Sequence, residues 1–278
     1  MKRTYTYAVI ALTTLLILSC TKEYEHYEIP THSNEFVVIP DANFEKELVN
    51  QGLDSDGTVN QIMLRSDIEK VERLLLYNAK INSLEGIEAF VNLKRLHADA
   101  NYLTTIDLSK NVLLDTINLG FNDLTTIEGL SKAKNLKWLS LSGNLFTEFT
   151  LENPSVKNLL MSHNEMVSFD ASNAPKLESA LLTLNKIEAL DFSQNPLLEV
   201  LIFSANKVQT INLDKNVNLK YIYCSSNLLT NFDVSKLPNL IDVRVDRNPT
   251  LNCIKVADGQ NIPTLKLSSY QQANTNCN

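Results

Sequence analysis

Histidine and cysteine are among the side chains of this 278-residue chain that could bind a metal or act in catalysis. His26 and His32 lie near the N-terminus, whereas His97 and His163 lie far apart in the sequence. The four cysteines lack the close pairing that is typical of zinc sites. No serine or cysteine lies in a motif that would place a base beside it, and no glycine-rich phosphate loop is present. The sequence therefore predicts a non-enzyme without a cofactor or a metal.

The acidic stretch Asp54-Ser55-Asp56-Gly57 has some features of a calcium loop. An EF-hand register with Gly57 in the sixth position would place Gly52 first and Met63 twelfth, where oxygen ligands are required. The stretch is therefore interpreted as a polar turn.

Short polar side chains also recur at intervals of about 21 residues. They are Asp107, Glu128, Thr150, Asp170, Asp191, Asn212 and Asp233. One interpretation is weak binding of divalent cations along an acidic edge. The other, which we favour, is that these side chains bond to the backbone of turns.

Each of these residues follows, by six positions, a member of a regular series of asparagines. The gaps in this series are 21, 22, 20, 21, 21, 21 and 21 residues, and its members are Asn101, Asn122, Asn144, Asn164, Asn185, Asn206, Asn227 and Asn248. Apolar residues lie eight, five and three positions before each member, as Leu136, Leu139 and Leu141 do before Asn144. The apolar alternation predicts a strand, and a buried amide after it can bond to backbone groups that the turn leaves unpaired. We call the series the asparagine ladder.

Over residues 71–250 this frame resembles the leucine-rich-repeat family, including the internalin-like and Bacteroidetes-type surface proteins. The resemblance implies an α/β solenoid: a right-handed horseshoe of about nine coils with a parallel concave sheet. In the first coil Ala79 takes the ladder position, which is typical of a terminal repeat. Segments that end in Glu-Gly, at Gly86 and Gly129, predict a 3₁₀ or helical turn in the returning half of the coil. Segments such as Leu190-Asp191-Phe192-Ser193 predict an extended chain there.

The ladder also predicts which side chains face the concavity. Residues six and four positions before each asparagine should point outward, and we call them the first row and the second row. The apolar members and their aromatic neighbours are the predicted partner-binding residues: Trp138, Leu160, Leu181, Val200, Ile202, Tyr221 and Tyr223. Contiguous exposed apolar side chains usually mark an interaction site. Coverage by the chain's own tail, and packing of two copies, are the alternatives.

The N-terminus resembles that of a bacterial lipoprotein. Lys2 and Arg3 precede an apolar run that is too short to span a bilayer, and the run ends in Ile17-Leu18-Ser19-Cys20. The resemblance implies a signal peptide over residues 1–19 and lipid attachment at Cys20, and an ordinary secretory signal is the alternative. Residues 20–35 are polar and acidic and predict a flexible tether. They resemble an export signal for outer-membrane lipoproteins, which implies display on the cell surface.

The two ends of the repeat region resemble the caps of such lipoproteins. In the N-terminal cap, residues 36–70, Asp41 is a candidate N-cap for a short helix that carries Phe44 and Leu48 on one face. Residues 251–278 form the predicted C-terminal cap. The resemblance and an oxidising compartment together imply a disulfide between Cys253 and Cys277.

These observations favour a non-catalytic, lipid-anchored surface protein that binds a protein partner through its concave face. Glycan capture, suggested by Trp138, Tyr221 and Tyr223, and a purely structural envelope role are the alternatives. The net charge is −7, and no basic stripe with interleaved aromatic residues is present, so nucleic acid is not an expected partner.

Overall fold

The structure is a computed structural model that describes residues 35–277. Its N-terminal part contains two antiparallel strands and two short helices. Strand β1 (Phe36–Val38) pairs with β2 (Ile62–Leu64), helix α1 (Ala42–Asn50) lies between them in the sequence, and α2 (Arg65–Ile68) follows β2.

Helix α1 packs on the first coils of the solenoid. It begins after Asp41, whose side chain accepts hydrogen bonds from the backbone N–H groups of the first helical turn. The other carboxylate oxygen of Asp41 accepts the N–H of Asn82 at 2.7 Å, which joins the cap to the first coil. Phe44 and Leu48 are fully buried, and the ring centroid of Phe44 lies 6.1 Å from that of Phe90. This helix therefore extends the core of the repeats toward the N-terminus.

From residue 73 the chain winds as a β-solenoid of short strands. In chain order these are β3 (Arg73–Leu75), β4 (Arg95–His97), β5 (Thr116–Asn118), β6 (Trp138–Ser140), β7 (Glu148–Thr150), β8 (Asn158–Leu160), β9 (Ser168–Asp170), β10 (Ser179–Leu181), β11 (Ala189–Asp191), β12 (Val200–Ile202), β13 (Thr210–Asn212), β14 (Tyr221–Tyr223), β15 (Asp242–Arg244), β16 (Cys253–Lys255), β17 (Thr264–Lys266) and β18 (Gln272–Asn274). Ten of them form one parallel sheet in the order β3-β4-β5-β6-β8-β10-β12-β14-β15-β17. The predicted solenoid with a parallel concave sheet is thus confirmed, with ten strands rather than about nine coils.

The returning half of each coil takes one of two forms. Among the described residues, 3₁₀ helices occur at Ile87–Ala89 and Leu130–Lys132, immediately after Gly86 and Gly129, as the sequence predicts. Gly129 has a φ of 82°, and a Cβ there would collide with the backbone of Ser109, so glycine is required. Other coils are extended, and β7 pairs with β9, β11 with β13 and β16 with β18. The returning side is therefore a series of narrow two-stranded sheets rather than one continuous sheet.

The asparagine ladder closes the turn after each concave strand. Asn206 donates from Nδ2 to the carbonyls of Leu182 and Phe203, at 2.9 and 3.0 Å, and its Oδ1 accepts the N–H of Ile187 at 3.0 Å. Asn122, Asn144, Asn164, Asn185, Asn227 and Asn248 repeat this pattern. Leu182 and Ile187 belong to the preceding coil, so each amide also joins two neighbouring coils.

The residue before each ladder asparagine lies in the left-handed region. The φ values run from 54° to 69° for Ala100, Phe121, Gly143, His163, Leu184, Ala205, Ser226 and Arg247. Only one of these is glycine, and the left-handed conformation costs other residues about 1 kcal/mol or more. The seven turns without glycine are therefore strained, and the hydrogen bonds around them offset the cost.

A second set of buried amides supports the returning half, and the sequence interpretation missed it. Its members are Asn111, Asn153, Asn195 and Asn216, all fully buried. Asn195, for example, donates to the carbonyls of Ala171 and Ala174 at 2.9 and 2.8 Å. The set is present in only some coils, so its period was not evident beside that of the asparagine ladder.

The described part of the predicted C-terminal cap, residues 251–277, continues the solenoid. Strand β17 extends the concave sheet in register with β15, with Thr264 opposite Asp242. Gln271 takes the role of a ladder asparagine by donating from Nε2 to the carbonyl of Val245 at 3.2 Å. A disulfide joins Cys253 to Cys277, with the two Cα atoms 5.6 Å apart.

Candidate functional site

The outward face of the concave sheet follows from the alternation of side chains along each strand. In β10, Ala180 is fully buried, whereas Ser179 and Leu181 on either side of it are partly exposed. The same pattern holds in β8, β12 and β14. The first and third residues of these strands therefore form the first and second rows.

Six of the seven predicted partner-binding residues lie together on four adjacent strands. In the second row Leu160 is opposite Leu181, Leu181 is opposite Ile202, and Ile202 is opposite Tyr223. In the first row Val200 is opposite Tyr221. All six are partly exposed, and three strand spacings cover ~14 Å. We call Leu160, Leu181, Val200, Ile202, Tyr221 and Tyr223 the concave patch.

Trp138, the seventh predicted residue, is separated from the other first-row members. It lies on β6, and Asn158 and Ser179 stand between it and Val200 in the register of the sheet. The separation is three strand spacings, or ~14 Å. Trp138 therefore lies beside the concave patch and not within it.

A charged network bounds the concave patch on its C-terminal side. The Tyr223 hydroxyl donates to Asp242 Oδ2 at 2.9 Å, and Arg244 Nη2 donates to the same oxygen at 2.9 Å. The Arg244 guanidinium also lies 4.3 Å from the centroid of the Tyr223 ring. The hydrogen bond from Arg244 lowers the pKa of Asp242, and the hydrogen bond to Asp242 raises the pKa of Tyr223. These contacts fix the orientation of Tyr223 at the edge of the patch.

The charged network was not recognised in the sequence. Asp242 and Arg244 alternate on β15, directly opposite Tyr221 and Tyr223 on β14. Opposite charges two residues apart on a strand that follows Tyr-x-Tyr are a signal that could have predicted it. At the other end of the sheet Arg73 and Arg95 are exposed, but β5 and β6 separate them from the patch.

The periodic acidic residues form turns. The carboxylates of Asp107, Asp170, Asp191 and Asp233 each accept the N–H of the serine two residues later, at 2.7, 2.7, 2.8 and 2.9 Å. This is the geometry of an Asx turn. Of the two interpretations, the turn is the one that matches these contacts.

Neither histidines nor cysteines form a reactive cluster in the described part of the chain. Within residues 35–277 no group of three or more His, Cys, Asp or Glu side chains could hold a metal ion. Cys224 is fully buried under the concave sheet, and burial raises the pKa of its thiol. Within the same range, no helix has the length and hydropathy needed to cross a membrane. His26, His32 and the predicted lipidation site Cys20 lie outside the described residues.

Comparison with known proteins identifies the architecture through solved structures. No family model and no curated protein matches the chain. The functional domain of InlJ from Listeria monocytogenes is similar with a TM-score of 0.51 and 22% identity, over 87% of this chain and 62% of that one. YopM from Yersinia enterocolitica WA-314 is similar with a TM-score of 0.51 and 25% identity, over 60% of this chain and 38% of that one.

A third similar structure is TLR13, solved in complex with ssRNA13, with a TM-score of 0.52 and 20% identity, over 66% of this chain and 34% of that one. The chain spans 62% of the length of the InlJ domain and less of the other two. The asparagine ladder, the ten-stranded parallel sheet and these likenesses together show that the chain is built as a leucine-rich-repeat solenoid.

Proposed function

We propose that the protein is a lipid-anchored recognition protein of the cell surface that binds a protein partner through the concave patch. The concave patch itself is the observation that carries this proposal. Apolar side chains from four adjacent strands are partly exposed side by side on a preformed sheet. Surfaces of this kind usually mark interaction sites, and a rigid sheet loses little conformational entropy on binding.

The composition of the patch favours protein over nucleic acid. A nucleic-acid surface needs cations that follow the phosphates, whereas the concave patch contains four aliphatic residues and two tyrosines. The net charge of −7 also opposes binding to a polyanion. Large apolar and aromatic side chains beside a charged rim are typical of the centre of a protein interface.

Glycan capture is the second candidate, because aromatic residues of the first row could stack on sugar rings. Trp138 and Tyr221 are separated by Asn158, Ser179 and Val200, which is ~19 Å along the sheet. They therefore form two separate stacking surfaces and not one platform. A glycan array that compares the wild type with Trp138→Ala tests this candidate, since a lectin-like site would lose its signal in the variant.

Membrane attachment is proposed from the N-terminal sequence alone. The motif Ile17-Leu18-Ser19-Cys20 supports lipidation, and the acidic tether that follows supports display on the outer face of the outer membrane. Labelling of growing cells with an alkyne fatty acid should mark the wild type and leave Cys20→Ser unlabelled. Protease treatment of intact cells should release the wild type, and complete protection would contradict surface display.

The concave patch is tested by a photo-crosslinking amino acid at Tyr221 in intact cells. A discrete protein adduct is expected in the wild type, and Leu181→Glu with Ile202→Glu should reduce its yield more than tenfold, because it buries two charges in the interface. The matched control is Leu197→Glu with Val217→Glu, which changes two exposed apolar residues outside the concave rows. An adduct that survives the first pair of substitutions would exclude the concave patch. Circular dichroism establishes that both variants are folded.

A further inference from the structure

A second depression lies on the returning side of the solenoid. It has a volume of about 800 Å³ and is lined by residues 125–131, 146–150, 152 and 168–170. These segments are the returning halves of three successive coils, and no residue of the first or second row lines the depression. Its size is within the range of ligand sites. We call it the returning-side groove.

The groove lies where the returning side changes from a 3₁₀ helix to strands. The coil with the helix Leu130–Lys132 is followed by the coil that contains β7. Within residues 35–277, β7 pairs only with β9, so its other edge, which lies toward the helical coil, has no strand partner there. An unpaired edge of this kind is the surface on which an extended peptide can add.

The floor of the groove is aromatic and aliphatic. Phe149 is 8% exposed and packs edge to face on Phe146, with the ring centroids 5.6 Å apart. Ile127 and Phe169 are partly exposed on either side of it. The floor can therefore contact an apolar chain without rearranging.

The rim of the groove is acidic and has no counter-charge. Glu128, Glu148, Glu152 and Asp170 are exposed, and none of them takes part in an ion pair among the described residues. No lysine or arginine of the described part of the chain lines the groove. In other coils some acids pair with a lysine of the next coil, as Glu199 does with Lys220 at 2.8 Å. The rim is thus a concentration of negative charge that the chain itself does not neutralise.

We propose that the returning-side groove binds an extended cationic peptide segment of a partner protein. The methylene stems of its lysines or arginines would lie on Phe149, Phe169 and Ile127, while their charged ends reach the carboxylates of the rim. Its backbone would run beside the unpaired edge of β7. This surface is separate from the concave patch and does not depend on the function proposed for that patch.

The proposal is tested with a fluorescein-labelled nonapeptide of alternating lysine and leucine, followed by fluorescence anisotropy. Binding to the wild type is expected, and Glu148→Gln with Glu152→Gln should weaken it about tenfold, because two ion pairs are removed. Glu188→Gln with Asp258→Asn is the matched control, since it neutralises two exposed acids outside the groove. The control should bind the peptide within twofold of the wild type. If both variants lost peptide affinity equally, the loss would come from the change in net charge and not from the groove, and the proposal would be overturned.

Four further measurements locate the peptide and define its chemistry. Trp138, the only tryptophan, lies on the concave sheet, so its emission should not change when the groove is filled, and Leu181→Glu with Ile202→Glu should still bind. A change in that emission, or a loss of binding in this variant, would place the peptide on the concave patch instead.

A peptide with glutamine in place of lysine should bind at least tenfold more weakly than the lysine–leucine peptide, and equal binding would contradict the role of the rim. Competition by spermine as strong as that of the unlabelled lysine–leucine peptide would instead assign the groove to polyamines.

Discussion

Leu184 has a φ of 58°, a conformation that a leucine rarely adopts, and the contacts around it show what maintains this conformation. Its N–H donates to the carbonyl of Ser204 at 3.0 Å in the next coil. Asn185, the next residue, bonds through its amide to the carbonyls of Met161 and Leu182, each at 3.0 Å. A different backbone conformation at Leu184 would break these bonds, so the turn retains the strained residue.

Relief of that strain should stabilise the protein. Glycine removes the left-handed penalty but increases the entropy of the unfolded chain, so we expect Leu184→Gly to raise the free energy of unfolding by at most about 1 kcal/mol. Leu184→Asn should also raise the free energy of unfolding, because asparagine tolerates the left-handed region. It increases the entropy of the unfolded chain less than glycine does. Urea denaturation followed by circular dichroism measures both variants.

Leu197→Gly is the matched control for this prediction. Leu197 is 45% exposed and Leu184 is 46% exposed, but Leu197 is not among the residues with positive φ. The free energy of unfolding of the control should therefore fall by about 0.5–1 kcal/mol. If Leu184→Gly and Leu197→Gly lower the free energy of unfolding by the same amount, the left-handed turn is not strained.

The sequence predicted the ladder position, which Asn185 occupies, but it did not predict the left-handed position before it, which Leu184 occupies. The ladder asparagine repeats because only an amide supplies the donors and the acceptor that the turn requires. The position before it needs only a particular φ, which the surrounding bonds impose on residues as different as Phe121 and Arg247. A constraint on backbone conformation that leaves residue type free produces no periodic signal.

At the scale of elements, the loop that follows α1 contains a buried carboxylate with one oxygen that lacks a hydrogen-bond partner among the described residues. Asp54 is 5% exposed, and its Oδ2 has no hydrogen-bond partner among the described residues. Burial raises the pKa of Asp54, the N–H of Asp56 lowers it, and the negative charges of Asp56, Glu45 and Asp67 raise it, with a net upward shift. The sequence identified this loop as a polar turn, but burial of one carboxylate depends on how the cap folds over it.

Asp54→Asn should stabilise the protein at neutral pH. Because the folded-state pKa lies above the unfolded value of 3.8, the folded state holds this proton more tightly. The resulting stabilisation is fully present below pH 3.8 and is lost as the pH rises through the folded-state pKa. At pH 7 we expect the free energy of unfolding of the variant to exceed that of the wild type by about 1 kcal/mol. This difference should shrink as the pH falls toward 3.8. Denaturation of both proteins across this pH range gives the difference curve.

Asp56→Asn is the matched control, because the shift of this neighbour has the opposite sign. Hydrogen bonds from the backbone and the hydroxyl of Thr58 lower the pKa of Asp56. Its stabilisation is therefore present above pH 3.8 and is lost as the pH falls through its folded-state pKa. The control should be less stable than the wild type at pH 7. Difference curves of the same sign for both variants would show that the burial of Asp54 does not govern the effect.

The returning-side groove is an element-scale feature that the repeat frame could not predict. The residues of each coil predicted its own returning half: a 3₁₀ segment after Gly129 and an extended chain in coils such as that of Leu190. The groove arises only where the two kinds meet, since the helical segment does not pair with the edge of β7. Its volume depends on the relative positions of three coils, and such positions follow from packing and not from residue type.

At the scale of the whole molecule, each coil contacts mainly the coils beside it. The asparagine ladder, the strand pairs and the ion pairs such as Lys157 with Glu178, at 2.6 Å, all join neighbours in the stack. The stability of such a solenoid is approximately a sum over coils and their interfaces. Removal of one complete coil should therefore shorten the protein without unfolding it.

Deletion of residues 186–206 tests this expectation. It joins Asn185 to Lys207, and the wild type has the same Asn-Lys junction at both ends of the deleted segment, so the 21-residue frame is preserved. Strand β10 would then pair with β14, and β9 would lie beside β13. At 0.05–0.15 kcal/mol per residue, the free energy of unfolding should fall by about 1–3 kcal/mol, with one cooperative transition in urea. An 11-residue deletion, residues 186–196, should instead abolish that transition, because it places the next asparagine half a coil early and misaligns every later core residue. If the 21-residue deletion unfolds the chain as completely as the 11-residue deletion, the coils are not interchangeable units and the additive description of this solenoid is wrong.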